Sequence, residues 1–153
     1  MSRAAALVLG LLPVVAGCGA CPEVPNWNSY LGVHIWQLGA EVEAATLTVE
    51  LGGTVRSCFV RFAGEDIVEE DCPEAFFVYR VGREWAVGLP PTPGAGRADI
   101  ELELEIVGEP GAGFVRERVP LNWQRQPFED GLHCSTRRAE LHLGRDGEPF
   151  NPP

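Results

Sequence analysis

Three histidines, five cysteines and one dense run of carboxylates are the residues of this chain whose types could do chemistry. Glu65, Asp66, Glu69, Glu70, Asp71 and Glu74 crowd one segment around Cys72. Carboxylates in a loop are the hard oxygen ligands that Ca²⁺ takes. Glu65, Asp66, Glu69, Glu70 and Asp71 are therefore the candidate calcium ligands, on a segment, 65–74, expected to be a loop. Their spacing is not that of an EF-hand, which needs Asp or Asn at alternating positions and Gly at the sharp turn; the plainer alternative is a solvated acidic loop. Zinc needs three or four ligands held together. His142 alternates with Leu141 and Leu143 and is expected to point outward, His34 shares its strand parity with Trp36 and Leu38, and His133 stands beside Cys134. If Cys134 is oxidised it cannot ligate, and this spacing predicts no metal centre. A fold that gathered His with Glu or Asp in one pocket would favour one; dispersed histidines would not.

Nucleophilic catalysis requires an activated Ser or Cys beside a base and an oxyanion hole. No Gly-x-Ser-x-Gly is present, and Ser57 and Ser135 each sit beside a cysteine expected to be bridged. Cys18-Gly19-Ala20-Cys21 has the spacing of a redox dithiol, provided that both thiols are free. Trp27, Trp36, Trp85 and Trp123 could line a carbohydrate or peptide groove by stacking on apolar ring faces. The alternative is that they fill the core or its corners. Arg137-Arg138 is expected to be a salt-bridging surface pair.

These residues must be positioned by strands. The dominant hydrophobic period is two. Ala45, Leu47, Val49 and Leu51 alternate with Thr46, Thr48 and Glu50, and Ile100, Leu102, Leu104 and Ile106 alternate with Glu101, Glu103 and Glu105. Each run puts its apolar residues on one face of a half-buried strand. Further strands are expected at Leu31–Leu38, Val55–Phe62, Ala75–Val81, Trp85–Leu89, Gly113–Leu121 and Arg138–Leu143. Gly52-Gly53 signals a tight hairpin. Pro90–Gly94 and Gly108–Gly111 cannot continue a strand. Across the second of these turns, Ile106 is expected to face Val115 and Leu102 to face Val119, which sets Glu105 opposite Arg116 and Glu103 opposite Arg118. That register turns Glu117 toward the apolar face unless a bulge intervenes. Short strands at regular spacing, with no helical amphipathicity, predict an all-β fold: an antiparallel sandwich of about seven or eight strands.

At 153 residues and 45% apolar composition the chain suits one domain with one core. Its formal net charge is −10, and all 12 basic residues are Arg. Such a surface repels phosphate backbones and anionic headgroups, so no nucleic-acid partner is expected and cations are the electrostatically permitted partners.

The first residues resemble a bacterial lipoprotein signal peptide. Arg3 is the one charge before an apolar stretch from Ala4 to Ala16, too short to cross a bilayer as a helix, and Val15-Ala16-Gly17-Cys18 resembles a lipobox. The resemblance implies cleavage before Cys18, a diacylglyceryl group on its thiol and an acyl chain, such as palmitate, on its new amino terminus. More than one fatty chain gives stable anchoring. Lipidation of Cys18 would remove the redox dithiol and leave Cys21, Cys58, Cys72 and Cys134. In an exported chain these would form two disulfides, for which three connectivities are possible. The closeness of Cys58 to Cys72 favours that pair, leaving Cys21 with Cys134.

The mature part resembles small lipoproteins with a carboxypeptidase-regulatory-like (transthyretin-like) β-sandwich. The resemblance rests on early Cys21, on Cys58 and Cys72, on Tyr79-Arg80-Val81-Gly82-Arg83-Glu84-Trp85-Ala86-Val87, and on Asp130–Cys134 preceding the alternating Ala139–Leu143. The chain departs from the pattern in placing Glu84 before Trp85 and in its Pro/Gly-rich insertion at Pro90–Gly96. The expected organisation is a signal peptide over 1–17, a lipidated tether over 18–29 and one sandwich domain over 30–153. The expected function is a lipid-anchored, non-catalytic binding or structural module of the cell envelope, without a cofactor. Its expected partners are the membrane, through Cys18, and another envelope protein. In such lipoproteins an Asp after the lipidated Cys favours inner-membrane retention; Gly19 there implies the outer membrane. The alternative is an envelope calcium-binding module or enzyme using the acidic segment 65–74.

Overall fold

Alternation along the chain sorts the residues into two apolar sheet faces that cover each other. The structure, a computed structural model, describes residues 30–74, 76–89, 99–127 and 135–153. Within them the strands are β1 (Tyr30–Trp36), β2 (Ala44–Leu51), β3 (Thr54–Ala63), β4 (Asp66–Asp71), β5 (Phe77–Val81), β6 (Glu84–Leu89), β7 (Asp99–Val107), β8 (Gly113–Pro120), β9 (Gln124–Pro127) and β10 (Ser135–Gly144). They form two five-stranded sheets, β5-β6-β1-β10-β9 and β4-β3-β2-β7-β8. The fold is all-β, a sandwich of two mainly antiparallel sheets, with ten strands among the described residues rather than seven or eight.

The core lies between the sheets. Leu31, Val33, Ile35, Trp85, Val87 and Leu89 come from the first sheet and Leu47, Val49, Val60, Leu102 and Leu104 from the second, all buried. Trp85 of β6 meets Phe62 of β3 edge to face across the interface, with ring centroids 6.1 Å apart, the arrangement that aromatic quadrupoles favour. The clean alternation of β7 places Glu101, Glu103 and Glu105 in solvent and Ile100, Leu102 and Leu104 in the core.

Three features depart from the sequence-based expectation. The acidic segment is mostly strand rather than loop: Asp66–Asp71 pairs antiparallel with β3 as an edge strand. Only Ile67 of its six residues is partly buried, against the core, which leaves no hydrophobic period to detect, and carboxylates on an edge discourage pairing with other chains. The β7–β8 register also differs. Leu102 faces Arg116, Glu103 faces Val115 and Glu105 faces Gly113, with a register shift between Ile100 and Leu102. Glu117 and Arg118 share the space opposite Glu101, and Arg118 takes φ 57°; this is the bulge that the alternation required. Finally, β1 and β10 pair in parallel, although β1 lies antiparallel to its other neighbour, β6.

The expected Gly52-Gly53 turn joins β2 to β3 with φ values of 67° and 79°. The Cys58–Cys72 disulfide is present and fastens the end of β4 to buried Cys58 on β3. The expected signal peptide over 1–17, Cys18, Cys21, Trp27, the Pro90–Gly96 insertion, His133 and Cys134 lie outside the described residues.

Candidate functional site

The sequence YLGVHIW of β1 sends Leu31, Val33 and Ile35 inward and leaves Tyr30, Gly32, His34 and Trp36 on the outer face of the first sheet. On β10, Ala139 and Leu143 turn inward, leaving Arg138, Glu140 and His142 on the same outer face. Parallel register then aligns Tyr30 with Arg138, Gly32 with Glu140 and His34 with His142. On the other side of β1, β6 contributes Glu84, Ala86 and Gly88, and β5 contributes Phe77 and Tyr79.

His34 is held between two carboxylates. Its Nδ1 is 2.6 Å from Glu84 Oε1 and its Nε2 is 2.6 Å from Glu140 Oε2. Side-chain exposures of 14% for His34, 16% for Glu84 and 25% for Glu140 shelter these contacts from bulk water. Glu140 Oε1 in turn accepts from Tyr30 OH at 2.9 Å and Arg138 Nε at 2.6 Å. The Arg138 guanidinium lies over the Tyr30 ring. Tyr79 OH donates to Glu84 Oε1 at 3.4 Å. His142 stacks on His34, with centroids 4.4 Å apart, and its Nδ1 accepts from Trp36 Nε1 at 3.1 Å. Trp36 stacks on Phe150.

This arrangement divides the protonation states. Burial works against a charged His34, but hydrogen bonds to Glu140 and Glu84 outweigh it and raise its pKa above the ordinary 6.5. With a carboxylate on each nitrogen, both nitrogens donate and the ring is an imidazolium. Burial would likewise raise Glu140, yet the bonds from His34, Arg138 and Tyr30 bring it down to about 2. Burial, then the hydrogen bond to Glu140, pushes Tyr30 up to about 12. Burial and the adjacent His34 charge lower His142, which matches a neutral ring accepting from Trp36. The cluster thus stores fixed charges. With both nitrogens committed, His34 has no lone pair free to act as a general base.

Two glycines make room for this network. A Cβ on Gly32 would stand 2.1 Å from Glu140 Oε2, and one on Gly88 would stand 1.9 Å from the Phe77 ring. Phe77 therefore lies flat over Gly88. The result is a trough of about 230 Å³ lined by Tyr30, His34, Phe77, Tyr79, Arg138 and Glu140. It falls below the range of pockets that enclose drug-sized ligands, so its size suits an ion or a small polar group. Ligand atoms of His34, Glu140 and His142 all lie within 4.8 Å of one another.

The residues singled out in the sequence are distributed differently. His142 points outward as expected, and His34 shares its outward parity with Trp36, whereas Leu38 lies beyond β1 and is buried. Glu65 sits in a turn, and Asp66, Glu69, Glu70 and Asp71 lie exposed along β4, where neighbouring side chains point to opposite faces. Glu69 pairs with Arg61 at 3.2 Å. Trp85 is core, Trp123 packs half-buried against it, and Trp36 belongs to the histidine face. The tryptophans thus line no common groove among the described residues. Ser57 bonds Thr48 on an exposed ladder. Sequence reasoning missed Tyr30, Tyr79, Glu84 and Glu140. Glu140 could have been found from its i, i+2 spacing with His142; Glu84 gave no such signal.

Comparison with protein-family models, curated proteins and solved structures finds no match to this chain.

Proposed function

We propose that this chain is a lipid-anchored protein of the bacterial cell envelope that acts by binding, without catalysis. The observation that carries the binding reading is the His34 cluster: an imidazolium with both nitrogens bonded to carboxylates, beside a small trough on the outer face of the sandwich. Such a cluster offers fixed charges to a ligand or envelope partner, and in the free protein its histidine has no lone pair open to a substrate. The anchor reading rests on Arg3, the apolar stretch after it and Val15-Ala16-Gly17-Cys18. The Cys58–Cys72 disulfide suits the oxidising compartment that an exported chain meets. Gly19 favours the outer membrane, and the net charge of −10 disfavours nucleic acid.

Expression of the full chain in a bacterial host tests the anchor. The product is expected to enter the detergent phase on partitioning, with mass spectrometry showing three acyl groups' worth of added mass at Cys18 or a diacylglyceryl form. A water-soluble product with unmodified Cys18 would overturn the placement.

A further inference from the structure

We infer that His34, Glu140 and His142 form a binding site for a transition-metal dication, zinc or one of its first-row neighbours, on the outer face of the β1–β10 pair. The inference deepens the reading of this face as a binding surface by naming the ligand class. Two imidazoles and one carboxylate suit Zn²⁺, Cu²⁺ or Ni²⁺, whereas Ca²⁺ and Mg²⁺ take oxygen ligands. Bound at about 2.0–2.2 Å from a common ion, three such ligand atoms stand roughly 3 Å apart. Here they already lie within 4.8 Å of one another, and ligation requires the stacked His34 and His142 rings to turn until one ion lies in both ring planes. The two strands that carry them are in parallel register, which puts His34 and His142 side by side on rigid elements.

The surrounding groups are those that a metal centre uses. A ligating histidine typically hands its second nitrogen to a carboxylate, which fixes the ring; His34 Nδ1 does so with Glu84 at 2.6 Å. Tyr30 and Arg138 occupy Glu140 Oε1, leaving Oε2 for an ion. In the metal-free protein the proton on His34 Nε2 bridges to Glu140 Oε2 at 2.6 Å. The dication takes that proton's place: the Nε2 lone pair goes to the metal and one proton leaves to solvent. His142 holds Trp36 through Nδ1. To ligate, it either moves its remaining proton from Nε2 to Nδ1 or turns Nδ1 to the metal. In both cases the Trp36 bond breaks, so Trp36 reports occupancy. Three protein ligands leave at least one position for water or a small anion to complete the shell.

The test is calorimetric titration of the full-length protein in detergent, stripped with EDTA, against zinc and nickel chlorides, with calcium chloride as comparison. Trp emission and melting temperature are followed in parallel. One equivalent of zinc or nickel is expected to bind in the micromolar range or tighter, raise the melting temperature and change Trp emission, whereas calcium does none of these. Glu140→Gln and His142→Asn should each weaken binding by about tenfold or more while keeping the circular dichroism spectrum. Trp36→Phe should bind zinc and lose the emission change. No heat and no melting shift at millimolar zinc, or undiminished affinity in both ligand variants, would overturn the site. Failure here with Cys18 still acylated removes the metal and leaves the anchor. A soluble, unacylated protein that binds zinc in this way does the reverse.

Discussion

His34 and Glu140 are a pair whose protonation couples to folding from both sides. Glu140 has a folded pKa of about 2 against an ordinary 4.5. Its contribution to stability is therefore complete above pH 4.5 and is lost as pH falls toward 2. His34 is raised above 6.5; its contribution is complete below that value and is lost as pH rises through the folded pKa. With EDTA present, these two contributions are complete together between about pH 4.5 and 6.5; His142, lowered below 6.5, costs stability as pH falls beneath that value, so the melting temperature is expected to peak toward the upper end of the window. A melting temperature that rises steadily from pH 6 to 9 would contradict the network. Glu84→Gln removes one of the two anions facing His34. NMR titration should then find the His34 pKa lower than in the parent, and the alkaline loss of stability should begin at lower pH. An unchanged His34 pKa would mean that Glu84 does not face it in solution.

Among the elements, the turn after β7 is the most constrained. Gly108 takes φ 98°, and a Cβ there would meet the Glu41 carbonyl oxygen at 2.2 Å. The next residue, Glu109, is buried, accepts from Gly39 N–H at 3.0 Å and pairs with Arg145. The turn is thus tied to the β1–β2 connection and to the chain after β10. Gly108→Ala combines a left-handed backbone with a backbone clash, and urea unfolding should show a loss on the order of 2–3 kcal/mol. Gly52→Asn, in a hairpin whose φ of 67° asparagine tolerates, should change stability by less than about 1 kcal/mol. Equal effects at the two positions would refute the distinction. At the other end of β8 a non-glycine residue, Arg118, accepts φ 57°, because the bulge there must absorb one extra residue between Arg116 and Val119.

For the molecule as a whole, two sheets share one core, and after β1 the chain returns to the first sheet twice. β1, the β5–β6 pair and the β9–β10 pair all lie in it, with β1 at its centre. This closure brings residues 34 and 140, separated by 106 positions, into contact. The second sheet has the shorter connections and one covalent fastening. Cys58–Cys72 spans 14 residues, for which the chain-entropy account gives about 3 kcal/mol. The double substitution Cys58→Ala and Cys72→Ala should lower unfolding free energy by about 2–4 kcal/mol, with a β-type circular dichroism spectrum retained. No change in urea midpoint would show that β4 is held without the bridge.

The sequence by itself determined which segments become strands wherever one face is buried, because side-chain alternation is a local property. β2 and β7, the Gly52-Gly53 turn and the Cys58–Cys72 pairing were all legible in this way. It did not reveal β4, where Ile67 alone is partly buried and no period results, or β9, which is only four residues long. It misplaced the β7–β8 register by three residues from the turn onward, where Glu105 faces Gly113 rather than Arg116. Outward parity was readable for His142, while for His34 only the parity shared with Trp36 was legible. Only the tertiary structure set β1 beside β10, in parallel, and turned two isolated histidines and two glutamates that carried no site reading into one charged cluster. Neighbour choice between strands depends on how distant apolar faces close over each other, and no local pattern in the chain encodes that choice.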